Sequence, residues 1–372
     1  TTVASDATIS GIAGISSIAN AATTNGQVEA EARGTTINGT ELTGALDIGG
    51  IGSISGNANY DLSAASSNVE GGASKAIASN DSGNGLIGAS AGIDVASDAM
   101  LSGMAIGSLA ADASSTASGA NALAGYMDSA VGATLPSLNV GGVANVTGAA
   151  QLDTSATASN VGSDGKDADA FGGAGQTVTG LTVGTESEND LAVTQASAGA
   201  AINAPIAPSL YNINVASDSN ITAQGFNNID ATASSTAGDA DANAGLNGAM
   251  VTGIAADMDI NVGGISSLMA QAQGTADSSA TTVDGTADAT SGMASMGIQD
   301  LQMNVSSDSD LSSTSSVIGS AGAESTGAAA ASGMTFDATG IDGIDMNVGG
   351  ISSLASSSSV NADSDASSVS GT

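Results

Sequence analysis

Asp257-Met258-Asp259-Ile260-Asn261-Val262-Gly263-Gly264-Ile265-Ser266-Ser267-Leu268 is the stretch on which the fold turns. Large apolar side chains occupy every second position from Met258 to Val262, with Asp and Asn between them. A period of two places successive side chains on opposite faces of an extended chain, one face buried and one wet. Gly263-Gly264 then interrupts the alternation, as a corner would where the backbone needs positive φ or close approach. The same text returns as Met346-Asn347-Val348-Gly349-Gly350-Ile351-Ser352-Ser353-Leu354.

Outward from these two copies, an aliphatic–polar–aliphatic triplet recurs along the whole chain. It reads Leu46-Asp47-Ile48, Ile93-Asp94-Val95, Leu138-Asn139-Val140, Leu181-Thr182-Val183, Ile213-Asn214-Val215 and Met303-Asn304-Val305, with a weaker copy at Ala7-Thr8-Ile9. Counted at the last residue of each triplet, the spacings are 39, 47, 45, 43, 32, 47, 43 and 43, with a mean of about 42. Periods of 20 to 50 residues mark stacked repeat architectures. Gly-Gly followed by an aliphatic residue also recurs, at Gly49-Gly50-Ile51 and Gly141-Gly142-Val143.

Ala-rich runs such as Ala328 to Ala331 are bounded by Gly327 and Gly333, and the abundant Ser and Thr are poor interior helix formers, so strands are expected there too. The expected fold is all-β, an elongated β-solenoid of stacked strand repeats of about 42 residues, of the kind a fibre subunit would use. Segments such as Thr275 to Ala280 can turn only methyls and hydroxyls inward, so two sheets would approach closely there, while Ile, Leu, Val and Met would fill a wider part. On this reading Ile260, Val262, Ile265 and Leu268 are buried, as are Met346, Val348, Ile351 and Leu354. Pro205 and Pro208 deny ladder hydrogen bonds and coincide with the short spacing of 32. Residues 1–196 and 211–372 are therefore expected as two sets of repeats, with a Pro-containing loop or kink at 197–210.

Composition narrows the function. The 372 residues include 3 Lys and Arg against 37 Asp and Glu, for a net charge of −34, with no Cys, His or Trp. Disulfides, Cys- or His-based metal sites and histidine general bases are excluded. A nucleic-acid partner is not expected, because Arg33, Lys75 and Lys166 are too few to neutralise a phosphate backbone. No apolar run of about 18 residues is present, so no membrane span is expected. A mean hydropathy of +0.19 and the kept register argue for order over a low-complexity coil. The chain starts at Thr1, as a processed secreted protein would, and the expected place is secreted, extracellular or at the cell surface.

Acidic residues are the one source of site chemistry. Hard cations take several oxygen ligands, so the clusters Asp164, Asp167, Asp169 and Asp308, Asp310 are the candidate metal ligands and calcium or another divalent ion the candidate cofactor. The nonapeptide calcium repeat is absent, because no Asp follows the Gly-Gly pairs at its spacing, and the EF-hand pattern is absent as well. Neither a Walker A nor a dinucleotide fingerprint occurs. Asp falls on the outward phase of the strands, where it serves solubility, and no catalytic residue is assigned; the protein is expected not to be an enzyme.

Composition and repeat together resemble those of extracellular bacterial fibre, matrix and adhesin proteins as a class. Neither the Gln/Asn ladder pattern of curli-type subunits nor the toxin nonapeptide is evident in the text. The expected function is a structural subunit of an extracellular filament, sheath or biofilm matrix, partnered by copies of itself through terminal β-strands. The alternatives are the repetitive stalk of a cell-adhesion protein and a calcium- or carbohydrate-binding β domain.

Overall fold

A computed structural model describes the chain apart from residues 1, 81–84, 117, 126–127, 163–165, 174, 184–212, 246–247, 257–258, 328 and 370–372. The Pro-containing segment 197–210 thus lies outside the described residues. The strands in chain order are β1 (Thr2–Val3), β2 (Ala7–Asn25), β3 (Val28–Gly34), β4 (Ile37–Ile48), β5 (Gly52–Glu70), β6 (Ser74–Asn80), β7 (Leu86–Val95) and β8 (Ala99–Ser115). They continue as β9 (Ala120–Ala124), β10 (Ser129–Val140), β11 (Ala144–Asn160), β12 (Ala168–Gly172), β13 (Thr177–Val183), β14 (Ile213–Val215), β15 (Ser219–Ser235) and β16 (Ala240–Ala244). The last are β17 (Met250–Ala256), β18 (Asp259–Val262), β19 (Ser266–Thr282), β20 (Ala287–Val305), β21 (Ser309–Ser325), β22 (Ala330–Val348) and β23 (Ser352–Ser368). No helix occurs among the described residues. The reason is local: inward and outward side chains alternate for 17 residues without a break, as in β15, which a helical period of 3.6 cannot bury on one side.

Every described ladder is parallel. One sheet has eight strands in the order β2-β5-β8-β11-β15-β19-β21-β23. Its register never slips. Ala7, Gly52, Ala99, Ala144, Ser219, Ser266, Ser309 and Ser352 stand in one column, in steps of 45, 47, 45, 75, 47, 43 and 43 residues. The other sheet has fifteen strands and a branched path. In its early layers two separate runs, β3-β6-β9-β12-β16 and β4-β7-β10-β13-β17, lie apart; they meet at β20, one long strand that pairs with β16, β17 and β18 on one side and with β22 on the other. Pro136 sits where the β7–β10 register shifts between Thr134 and Ser137, a bulge that needs no N–H from it.

These findings correct the fold expected from the spacings. The β-solenoid of uniform repeats of about 42 residues is replaced by an all-strand architecture of two unequal parallel sheets, one unbroken and one branched. The physical reason is that triplets alike in hydropathy occupy different columns. Val183 pairs with Leu135, not with Val140, whose partner is Val215. Ile9 pairs with Ile54, while Ile48 is met by Val3. The spacings of 43 and 32 are therefore one step of 75, and the first triplet position is Val3.

The core has two lobes. One is mostly Ala, from Ala30 and Ala32 through Ala120, Ala122 and Ala168 to Ala287 and Ala289, with larger residues such as Tyr60, Leu62, Leu152 and Ile229 among them. The other is aliphatic and includes Ile48, Val95, Val140, Val215, Val262 and Leu268. Between them the sheets pinch together. A Cβ on Gly56 would collide with the Gly88 carbonyl, one on Gly103 with that of Gly132, and one on Gly148 with that of Gly180. Only glycine permits such an approach of two backbones. In later layers the column changes to Ala223, Ala270 and Ser313, and the Ser313 hydroxyl donates to the Gly340 carbonyl.

Burial follows the alternation, with one correction. Ile260, Val262 and Leu268 are buried, but Ile265 is 50% exposed and Ile351 is 77% exposed. The residue after Gly-Gly points outward from the corner, whereas the alternation alone placed it inside. Leu354 is exposed, and Met346 and Val348 are only half-buried, because β23 and β22 are outermost strands of their sheets.

Candidate functional site

The corners between the two sheets carry the recurrent chemistry. They alternate strictly between two types. Corners of the first type are Ala4-Ser5-Asp6, Ala96-Ser97-Asp98, Ala216-Ser217-Asp218 and Ser306-Ser307-Asp308. Between them lie Gly49-Gly50-Ile51, Gly141-Gly142-Val143, Gly263-Gly264-Ile265 and Gly349-Gly350-Ile351. In each pair the aspartate Oδ1 accepts the N–H of the aliphatic residue one layer on: Ile51 to Asp6 at 2.8 Å, Val143 to Asp98 at 2.9 Å, Ile265 to Asp218 at 2.8 Å and Ile351 to Asp308 at 2.8 Å. The second glycine is obligatory, because a Cβ on Gly50, Gly142, Gly264 or Gly350 would occupy the carboxylate's place. The true structural repeat is therefore two layers, an aspartate corner and a diglycine corner.

Beside the corners runs an amide ladder. Asn139 Nδ2 donates to Asp94, Asn214 to Asn139 Oδ1 at 2.8 Å, Asn261 to Asn214 Oδ1 at 3.0 Å and Asn304 to Asn261 Oδ1 at 3.0 Å. These are the middle residues of the triplets. A shallow trough of about 820 Å³ follows the ladder, lined by Thr2, Asp47, Asp94, Asn139, Asn214 and Asn261 and by the adjoining corners. The ladder is written in the sequence only as Asn in the centre of successive triplets. What hid it was the extra triplet at Leu181-Thr182-Val183, which breaks the run of Asn only if it is counted as a layer.

The candidate metal ligands do not converge. Asp308 is committed to the Ile351 N–H, and Asp310 is exposed on β21 between Ser267 and Ser353 of the flanking strands. Asp164 lies outside the described residues. Asp167 and Asp169 belong to an acidic stripe on the other sheet, where Asp169, Asp241 and Asp288 are in register on β12, β16 and β20. Burial pushes the Asp169 carboxyl up, with Asp167 and Asp239 adding repulsion and a hydrogen bond from Asn121 opposing it. Burial likewise raises Asp241, helped by Asp169 and Asp288. Asp239 is lowered by the Thr286 backbone N–H, which it accepts at 2.8 Å. Among the described residues no group of three or more acidic side chains is arranged to hold a metal ion. No described helix is long and apolar enough to cross a membrane.

No protein-family model, curated protein or solved structure matches the chain.

Proposed function

We propose that this protein is a structural subunit of an extracellular filament, sheath or matrix, built by self-association and not by catalysis. The observation that supports this most is the unbroken register of the eight-stranded sheet, in which each strand from β2 to β21 serves as the full-length template for the next. A strand edge with unpaired N–H and C=O groups is a surface for adding another strand. The repeated hydrogen-bonded corners and the amide ladder serve cohesion along the stack, and the acidic outer faces serve solubility and cation screening.

The test is light scattering and negative-stain microscopy of the full chain at low and high ionic strength, with and without calcium or a chelator. Fibres of constant width that grow with salt are expected. A chain that stays monomeric at high concentration in every condition overturns the reading.

A further inference from the structure

The alternating corners carry an inference about how copies would join, which rests on the filament reading above. We infer that the partner on the outer edge of β22 and β23 is the β1–β4 edge of a second copy, stacked head to tail, in register and in corner phase. The chain contains four aspartate corners and four diglycine corners in strict alternation, the first at Asp6 and the last at Gly349-Gly350. A translated copy therefore sets an aspartate corner on a diglycine corner, the junction already made three times within the chain. There it is held by backbone bonds alone, such as Ala96 N–H to Ile48 O at 2.8 Å and Ala216 N–H to Val140 O at 2.8 Å. The equivalent bond across copies runs from Ala4 N–H to the Val348 carbonyl. An inverted copy would instead set a diglycine corner on a diglycine corner, a junction that occurs nowhere among the alternating corners of the chain.

The inward columns continue across the same joint. The column of Leu268, Leu311 and Leu354 is the one that begins at Ile9, and the column of Val305 and Val348 begins at Val3. Leu311 is fully buried while Leu354, one strand further out, is 55% exposed. A second copy's Ile9 would cover it as Leu354 itself covers Leu311. Val360 would likewise meet Ile15, both at the same inward position of their strands.

The chain has no cysteine of its own, so directed cross-linking tests the joint cleanly. Thr8 and Ser353 are exposed and fall in one column. In-register neighbours on adjacent strands sit about 4.8 Å apart, within disulfide reach. Chains carrying Thr8→Cys mixed with chains carrying Ser353→Cys are expected to give a mixed disulfide dimer on mild oxidation, and neither variant alone gives one. Thr2→Cys mixed with Asn347→Cys reports the same joint from the other sheet. Preferred homodimers of either variant, or preferred linkage of Thr8→Cys to Ser357→Cys, overturn the head-to-tail register. Fibres without either mixed cross-link overturn this joint and leave the filament reading standing. A chain monomeric in every salt condition overturns both.

Discussion

At Gly264 and Asp218 one hydrogen atom in place of a methyl decides a corner. Removing the carboxylate in Asp218→Ala leaves the Ile265 N–H without its acceptor, at a cost of about 1 kcal/mol, as for a lost helix N-cap. Gly264→Ala costs more, because the added Cβ meets both the carboxylate and the Ser217 backbone. The two substitutions are expected to be less than additive in denaturant melts, since the first vacates part of the space the second needs. Full additivity would mean that the carboxylate and the Cβ do not compete. Val262→Asp, inside the aliphatic lobe, puts an unpaired charge where 2% of the side chain is exposed, and a loss of about 3 kcal/mol or more is expected. Asn261→Asp on the opposite phase keeps the acceptor for Asn304 but loses the donor to Asn214. It should cost about 1 kcal/mol; equal melting temperatures for the two variants would refute the face assignment.

Elements are shaped by what neighbouring layers force on them. Asp300, between Gln299 and Leu301 of β20, has φ of 51°, and Gly343, between their partners Asp342 and Ile344 on β22, has φ of 70°. The left-handed turn is a property of the column, and glycine suits it better than aspartate. Asp300→Gly is expected to be neutral or slightly stabilising, and Asp300→Val to lose about 1–3 kcal/mol, read by thermal melts. The acidic stripe of β12, β16 and β20 is a second imposed feature. A carboxyl raised in the folded state binds its proton more tightly there, so it favours folding below the unfolded value of 3.8 and loses that contribution as pH rises through the folded value. Asp239 is lowered and acts in the opposite sense, contributing above 3.8 and losing that as pH falls through its folded value. Asp241→Asn removes a half-buried charge from between Asp169 and Asp288. It should raise the Tm at pH 7, with a gain that shrinks as pH falls through the raised value; a gain independent of pH would show that the stripe is not under electrostatic load.

On the scale of the whole molecule, a charge of −34 opposes every association while a parallel edge invites one. The balance moves with salt, because the screening length falls from about 10 Å at 0.1 M to about 3 Å at 1 M. Assembly of the full chain should therefore rise steeply over that range, and with divalent cations at lower concentration. Removing residues 355–372 takes away most of β23 but leaves β2 to β21 in register. The shortened chain should keep its strand signal by circular dichroism and lose growth in light scattering. Growth undiminished by that deletion would place the association elsewhere on the surface.

Strand character was legible residue by residue, because alternation such as Ile260-Asn261-Val262 specifies which side chains face inward without reference to any partner. The small-residue and aliphatic lobes were legible for the same reason: side-chain volume limits how far apart two sheets can stand. The alternating Asp and Gly-Gly corners and the central Asn of the triplets were written in the sequence too, but their roles depend on which layers touch. That was decided only in three dimensions. Val183 and Val140 are alike as text, and only pairing with Leu135 and Val215 separates them into different columns. The branched larger sheet, the outward turn of Ile265 and the glycine pinch between Gly103 and Gly132 are likewise consequences of contacts between residues tens of positions apart. Local alternation cannot choose among such partners, since hydropathy repeats equally well at several registers and only the simultaneous fit of corners, columns and backbone approach selects one.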